Sequence, residues 1–216
     1  MERRFTDRSA QGLKIEKRAD GGDMLVGYAA VYYREGDAGT EYRLWESCVE
    51  RIAPGCFDRA ISEDDVRALF NHEEDHVLGR TKSKTCRLSA DSVGLRYEID
   101  LTDPACPENL PQLIARGDIS GSSFSFAPRA VEWLSLADGT EVRMLKDVQL
   151  FDVGPVTFPA YEATSCGMRS LSDLTELRAQ RNKLRAQRNK LRAQQQEVEI
   201  RSRLMQIEDG LLNTFT

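Results

Sequence analysis

A strand-dominated α+β domain followed by a long C-terminal helix is the architecture that this 216-residue sequence predicts. Two observations carry the first half of that prediction. Short runs rich in Val, Ile, Tyr and Phe alternate with Gly and Asp-Gly turn signals over roughly the first 165 residues, and helix signals there are few and brief. The third observation is an abrupt change of composition at Ser170, after which a seven-residue unit of helix formers repeats. The first part therefore reads as a small β-barrel or bent sheet with peripheral helices. Three segments follow: an N-terminal arm at 1–11, a domain at 12–169, and a basic heptad-repeat tail at 170–216.

Met24 to Tyr33 follows the turn Asp20-Gly21-Gly22-Asp23 and reads as a strand. Pro54-Gly55 precedes a short helix over Phe57 to Ser62. Val66 to Phe70 is a short apolar run that delivers Asn71 and His72 at its end. Cys86 to Leu88 and Leu95 to Leu101 flank a hairpin connection at Ala90 to Gly94. Glu108 to Arg116 starts as a helix after Pro107, and Gly117 stops it. A second hairpin joins Ile119–Val131 to Val142–Val153 through Ala137-Asp138-Gly139-Thr140.

In the tail, Leu177 to Lys183 is repeated as Leu184 to Lys190, and a third copy begins at Leu191. Leu177, Leu184, Leu191, Val198 and Met205 line one stripe. With these at d positions, the a positions are Leu174, Arg181, Arg188, Gln195 and Ser202, a poor seam for a two-stranded coiled coil. A solvated helix, or one docked on a partner, fits at least as well. Ile200, Leu204, Ile207 and Leu211 make a better amphipathic face. The stretch Arg178 to Arg192 carries seven basic residues and no acid, which suits nucleic acid, an acidic partner helix, or plain solvation.

A net charge of -5 gives the whole chain no nucleic-acid signature, and no apolar run reaches the roughly 20 residues of a membrane helix. The start, Met1 to Asp7, lacks a signal-peptide apolar region. Five cysteines (Cys48, Cys56, Cys86, Cys106, Cys166) are scattered and unpaired in motif, so they read as reduced thiols. No cofactor is implied, and with only two histidines a zinc site is not expected.

The chemistry-bearing residues are few enough to weigh singly. His72 is one of the two histidines and precedes the segment Gly117 to Phe126, in which Ser123 stands between Gly121 and Phe124. Acidic residues on a later strand-like run, Asp147 and Asp152, complete the parts of a serine hydrolase: base, nucleophile and orienting carboxylate. Strand alternation puts Ser123 and Ser125 on one face and Ser122 on the other. On the later run, Val148, Leu150 and Asp152 share one face, while Asp147 and Gln149 share the other. A carboxylate on a buried apolar face needs a partner such as an imidazole, which favours Asp152 over Asp147. His76, among Glu73, Glu74 and Asp75, reads as an exposed loop residue. Arg80 and Arg116 read as solvated, or as contacts for an acid or a substrate. Without further support, each of these residues has an ordinary structural role as its competing explanation.

Several blocks occur together in one order: Gly27-Tyr28-Ala29-Ala30-Val31, Ile52-Ala53-Pro54-Gly55-Cys56-Phe57, Asn71-His72, Leu78-Gly79-Arg80-Thr81, Gly94-Leu95, Gly117-Asp118-Ile119 with Ser123-Phe124-Ser125-Phe126, and Val156-Thr157-Phe158-Pro159-Ala160-Tyr161. Over roughly residues 12 to 165 this pattern resembles the prohead proteases of tailed bacteriophages, relatives of the herpesvirus assembly proteases. The resemblance implies a herpesvirus-protease-like fold and a serine endopeptidase that cuts the scaffolding segment from the major capsid protein, and cuts itself, inside the assembling procapsid in the host cytoplasm. It selects Ser123 as nucleophile, His72 as base, and an acidic position at Asp152 or Asp147. The family more often has a bulky residue at Ser122 and glycine at Ser125. The herpesvirus relatives use a second histidine downstream of the serine, and none follows Ser123 here. They also dimerise, so self-association is a further expectation. A different class of protein fits the same parts: a non-catalytic assembly scaffold or chaperone that binds through its C-terminal helix.

Overall fold

The computed structural model describes residues 1–6, 12–102 and 107–158, together with Lys183 and Lys190, which are helical and exposed. The chain divides into two units, Met1–Met168 and Arg169–Thr216. Apart from those two lysines, the expected long helix at 170–216 lies outside the described residues, as do Cys106, Cys166 and Pro159-Ala160-Tyr161.

The first unit is built on two open sheets. The larger contains β1 (Glu2–Thr6), β4 (Glu41–Trp45), β5 (Cys48–Ile52), β6 (Arg67–Leu69), β7 (Val77–Arg80), β10 (Gly121–Ser135) and β11 (Glu141–Val156). Its main path runs β1-β10-β11-β5-β4, with β6 also on β11 and β7 beyond it. The smaller contains β2 (Lys14–Lys17), β3 (Asp23–Val31), β8 (Cys86–Ala90) and β9 (Gly94–Asp100), in the order β2-β3-β9-β8. Of the two expected forms, barrel or bent sheet, these open pairing paths give the second.

The hairpin of β10 and β11 is the backbone of the larger sheet. Its tip carries Gly139 at φ +85°, and the Asp138 carboxylate accepts the Thr140 amide at 2.9 Å, so the Asp-Gly signal makes the expected turn. Three register shifts, at Ser125/Phe126, Pro128/Ala130 and Ala130/Val131, bend the pair. Strand β11 is long enough to hold two parallel partners on its other side: β5 along Glu141–Leu145 and β6 at Asp152–Val153.

The core gathers Leu25, Ala29, Leu95, Tyr97 and Ile99 from the smaller sheet with Phe124, Phe126, Leu145, Val148, Leu150 and Val153 from the larger. The helix α1 (Asp58–Glu63) contributes Ala60, and α2 (Leu110–Arg116) contributes Leu110 and Ile114. Gly117 ends α2 in the left-handed conformation at φ +82°. Phe57 stands edge-on to Phe124, whose ring stacks on Phe126 with centroids 5.0 Å apart. These rings fix the face of β10 that turns inward.

The stretch read as an N-terminal arm supplies strand β1, which pairs antiparallel with β10 from Glu2↔Phe126 to Thr6↔Ser122. Strands β2, β4, β5 and β7 are likewise additions to the elements read from the sequence.

Candidate active site

Alternation along β10 separates the serines. Ser122 points inward, where its hydroxyl lies 2.7 Å from that of buried Tyr97. Burial pushes the Tyr97 phenol well above its ordinary value, so it stays a neutral hydrogen-bond partner. Ser123 and Ser125 point to the opposite face, as expected from strand parity.

The histidine arrives from the β6–β7 hairpin. Because β6 lies parallel against the end of β11, the loop after Leu69 falls over that second face of β10 and β11. Asn71 and His72 take consecutive left-handed conformations, at φ +56° and +58°. Asn and His tolerate this region better than most residues, and the surroundings hold them in it. The Asn71 amide donates to the Pro155 carbonyl at 3.0 Å. Its side chain donates to the Thr157 hydroxyl at 3.0 Å and accepts the Thr157 amide at 2.8 Å. Asn71 thus clamps the loop onto the exit of β11 and aims the next side chain at the sheet.

The acid reaches this face through an irregularity. Ser125 stands opposite Asp152, but Phe126 stands opposite Leu150, so Phe151 is an extra residue on β11. Directly opposed residues share a face, so Leu150 goes with Phe126 into the core and Asp152 goes with Ser125. The expectation that Leu150 and Asp152 share an apolar face is therefore corrected: the bulge inverts the alternation between them. Asp152 is buried beneath His72, on the other side of the sheet from Leu150.

Together these placements make a continuous polar chain. His72 Nε2 lies 2.6 Å from Ser123 Oγ, and His72 Nδ1 bonds Asp152 Oδ1. The second carboxylate oxygen, Oδ2, accepts the Ser125 hydroxyl. The Ser123 hydroxyl also reaches the Arg4 carbonyl oxygen of β1, at 2.9 Å. Exposure is 0% for Ser123, 8% for His72 and 4% for Asp152, so bulk water is largely kept from all three. A carboxylate accepting Nδ1–H fixes the tautomer that leaves the Nε2 lone pair for a hydroxyl proton. A cleft of about 380 Å³ opens beside the chain, with Arg3, Leu69, His72 and Asp152 among its walls.

Asp147 is elsewhere. Its carboxylate faces Arg129 at 3.7 Å and Arg59 at 3.8 Å, and it makes no contact with His72. His76 is half-buried rather than exposed, its ring 6.2 Å from that of Phe70. Arg80 holds Asp65 at 2.8 Å, and Arg116 pairs with Asp118. Cys56 and Cys86 are buried, and burial pushes both thiols up to about 12, which leaves little thiolate at neutral pH. Among the described residues no cluster of three or more His, Cys, Asp or Glu could hold a metal ion, and no helix is long and apolar enough to cross a membrane.

Sequence reasoning missed two partners of this chain of groups. Ser125 shares the face of Ser123, and that parity was the available signal for it. The Arg4 carbonyl carried no signal, since a backbone atom on an unrecognised strand has none.

Residues 11–177 match the family model described as caudovirus prohead serine protease. No curated protein and no solved structure matches the chain.

Proposed function

Because the chain belongs to the caudovirus prohead serine protease family, we propose that Ser123, His72 and Asp152 form its catalytic triad and that it processes capsid proteins during procapsid maturation. The observation that carries this reading is the hydrogen-bonded series from Ser123 through His72 to Asp152 on one buried face. Ser123 Oγ attacks the carbonyl carbon of the scissile peptide as His72 Nε2 takes its proton. The tetrahedral adduct collapses, the C–N bond breaks, and His72 returns the proton to the leaving amine. Water then attacks the acyl ester with His72 again as base, which frees the new carboxylate and restores the serine. Asp152 holds the imidazole in its working tautomer and stabilises the imidazolium, and Ser125 orients Asp152 from behind.

The substrates of this reading are the scaffolding segment of the major capsid protein and the chain itself, met inside the assembling procapsid in the host cytoplasm. The tail at 170–216, with its block of seven basic residues, serves as the part that recruits the enzyme to an acidic scaffold partner.

The test is co-expression of the chain with the coat protein of its own genome, as wild type and as Ser123→Ala, followed by intact mass. Shortened coat protein with the wild type alone is the expected result. Full-length coat protein in both cases would overturn the reading in favour of a non-catalytic assembly role.

A further inference from the structure

Glu50 and Arg143 are fully buried, and neither takes part in the proposed chemistry. They oppose one another on β5 and β11, and both turn toward the N-terminal strand. Arg4 Nε and Nη2 donate to the two oxygens of Glu50, at 2.5 and 3.1 Å. Arg143 also donates to Glu50, and its two terminal nitrogens reach the Glu2 carboxylate at 2.6 and 2.8 Å. The Arg4 guanidinium sits 5.4 Å from the centroid of the Phe126 ring.

Arg4 is therefore held at both ends. Its carbonyl oxygen accepts the Ser123 hydroxyl, and its side chain fills a pocket floored by a carboxylate. Its backbone is extended and paired to β10, the strand that bears Ser123. A protease holds the residue before a cleaved bond in the same manner: carbonyl at the nucleophile, side chain in a complementary pocket, backbone added to a strand edge. The proton count agrees. A serine hydroxyl has one hydrogen, and while it is given to Arg4 it is withheld from His72.

We propose that the edge of β10 from Ser122 to Phe126 is a peptide-binding edge, that Glu2–Thr6 occupy it as an internal mimic of substrate, and that Glu50 reads a basic side chain at the place of Arg4. The proposal rests on the serine protease reading above for the role of Ser123. The ligand is an extended peptide with arginine, or less favourably lysine, before the bond that faces Ser123. Arginine is favoured because its fork satisfies both Glu50 oxygens at once. A neutral residue there leaves a buried carboxylate one partner short. Arg143 selects an acidic residue two positions earlier, where Glu2 now lies. Departure of β1 takes Arg3 out of the wall of the cleft beside His72 and opens it further.

The test uses the full chain in a Ser123→Ala background, so that nothing is cut. The probes are a fluorescein-labelled peptide of residues 1–8 and the same peptide with alanine at the Arg4 place. The Arg4→Ala chain, whose own strand is loosened, is expected to bind the native peptide at least tenfold more tightly than the chain that keeps Arg4. The alanine peptide is expected to bind at least tenfold more weakly than the native one, and Glu50→Gln to abolish that difference. Glu2→Ala loosens β1 from a partly exposed position and replaces Arg4→Ala should that chain not fold. Equal binding by loosened and native chains, or a peptide preference indifferent to Glu50, would overturn the proposal. Coat-protein cleavage by the Ser123 chain is read separately. Cleavage without peptide binding removes the mimic alone, whereas binding without cleavage removes the protease reading and leaves the peptide edge standing.

Discussion

Asp147 and Asp152 lie five residues apart on one strand, and local backbone geometry alone decides which of them meets the imidazole. Phe151 is the surplus residue that turns Asp152 toward Ser125 and His72. Asp147 stays before the bulge, facing Arg129 and Arg59. The two Asn variants should therefore diverge. Asp152→Asn presents an amide that favours the wrong imidazole tautomer, and kcat on a coat-derived peptide should fall on the order of 10⁴-fold with the fold intact. Asp147→Asn should change kcat by no more than about threefold, since it faces an exposed Arg59 and a partly buried Arg129 only at 3.8 and 3.7 Å and stands apart from His72. A comparable loss in both variants would sink the assignment. The face on which Ser123 lies was legible in the sequence because alternation is a property of a regular strand, whereas its choice over Ser122 rests on the family resemblance. Asp152 was selected on a premise that the bulge removes, because a one-residue register shift leaves no mark in hydrophobic alternation.

Elements place the histidine with less tolerance than the strands that carry the serines. Strand β6 approaches β11 so closely that a Cβ on Gly154 would come within 2.0 Å of the Leu69 carbonyl oxygen. Backbone cannot yield as a flexible side chain does, so Gly154→Ala must push β6 outward and carry Asn71 and His72 with it. Overpacking of this kind costs about 1–3 kcal/mol, and the melting temperature should drop by roughly 2–4 °C for each of them. Peptide hydrolysis should fall by more than the lost folded fraction explains, because the His72 to Ser123 contact lengthens. A melting loss with unchanged kcat would show that the loop is positioned by something other than this approach. The β10–β11 hairpin was legible because Asp138-Gly139 marks its turn and its flanks are long. Strands β1 and β5 were not, and the reason is visible in their side chains. Glu2, Arg4 and Glu50 point inward, which reverses the polar-outward pattern by which a half-buried strand is recognised.

At the scale of the whole first unit, four charges tie the start of the chain to its middle and to its last long strand. Glu2 and Arg4 of β1, Glu50 of β5 and Arg143 of β11 sum to zero, and each carboxylate has two guanidinium partners. Removal of one member weakens such a set, because it leaves a buried charge with fewer compensating partners. Burial acts to raise the Glu2 carboxyl, yet the hydrogen bond and charge of Arg143, with Arg4 behind it, hold it below its ordinary value of 4.5. A carboxyl depressed on folding contributes stability that is fully present above its unfolded value and is lost as pH falls through the folded one. Docking of β1 should therefore be firm at neutral pH and should weaken as pH drops below about 4.5 and Glu2 takes up its proton. Hydrogen exchange of the Glu2–Thr6 amides, compared with those of β3 and β9 as internal standards, reads this directly. Loss of protection in β1 ahead of the standards as pH falls, with that pH dependence abolished in Glu2→Gln, is the expected course. Protection in β1 that persists until the whole unit unfolds would mean that ladder bonds to β10, rather than the charge cluster, keep the N-terminal strand over Ser123.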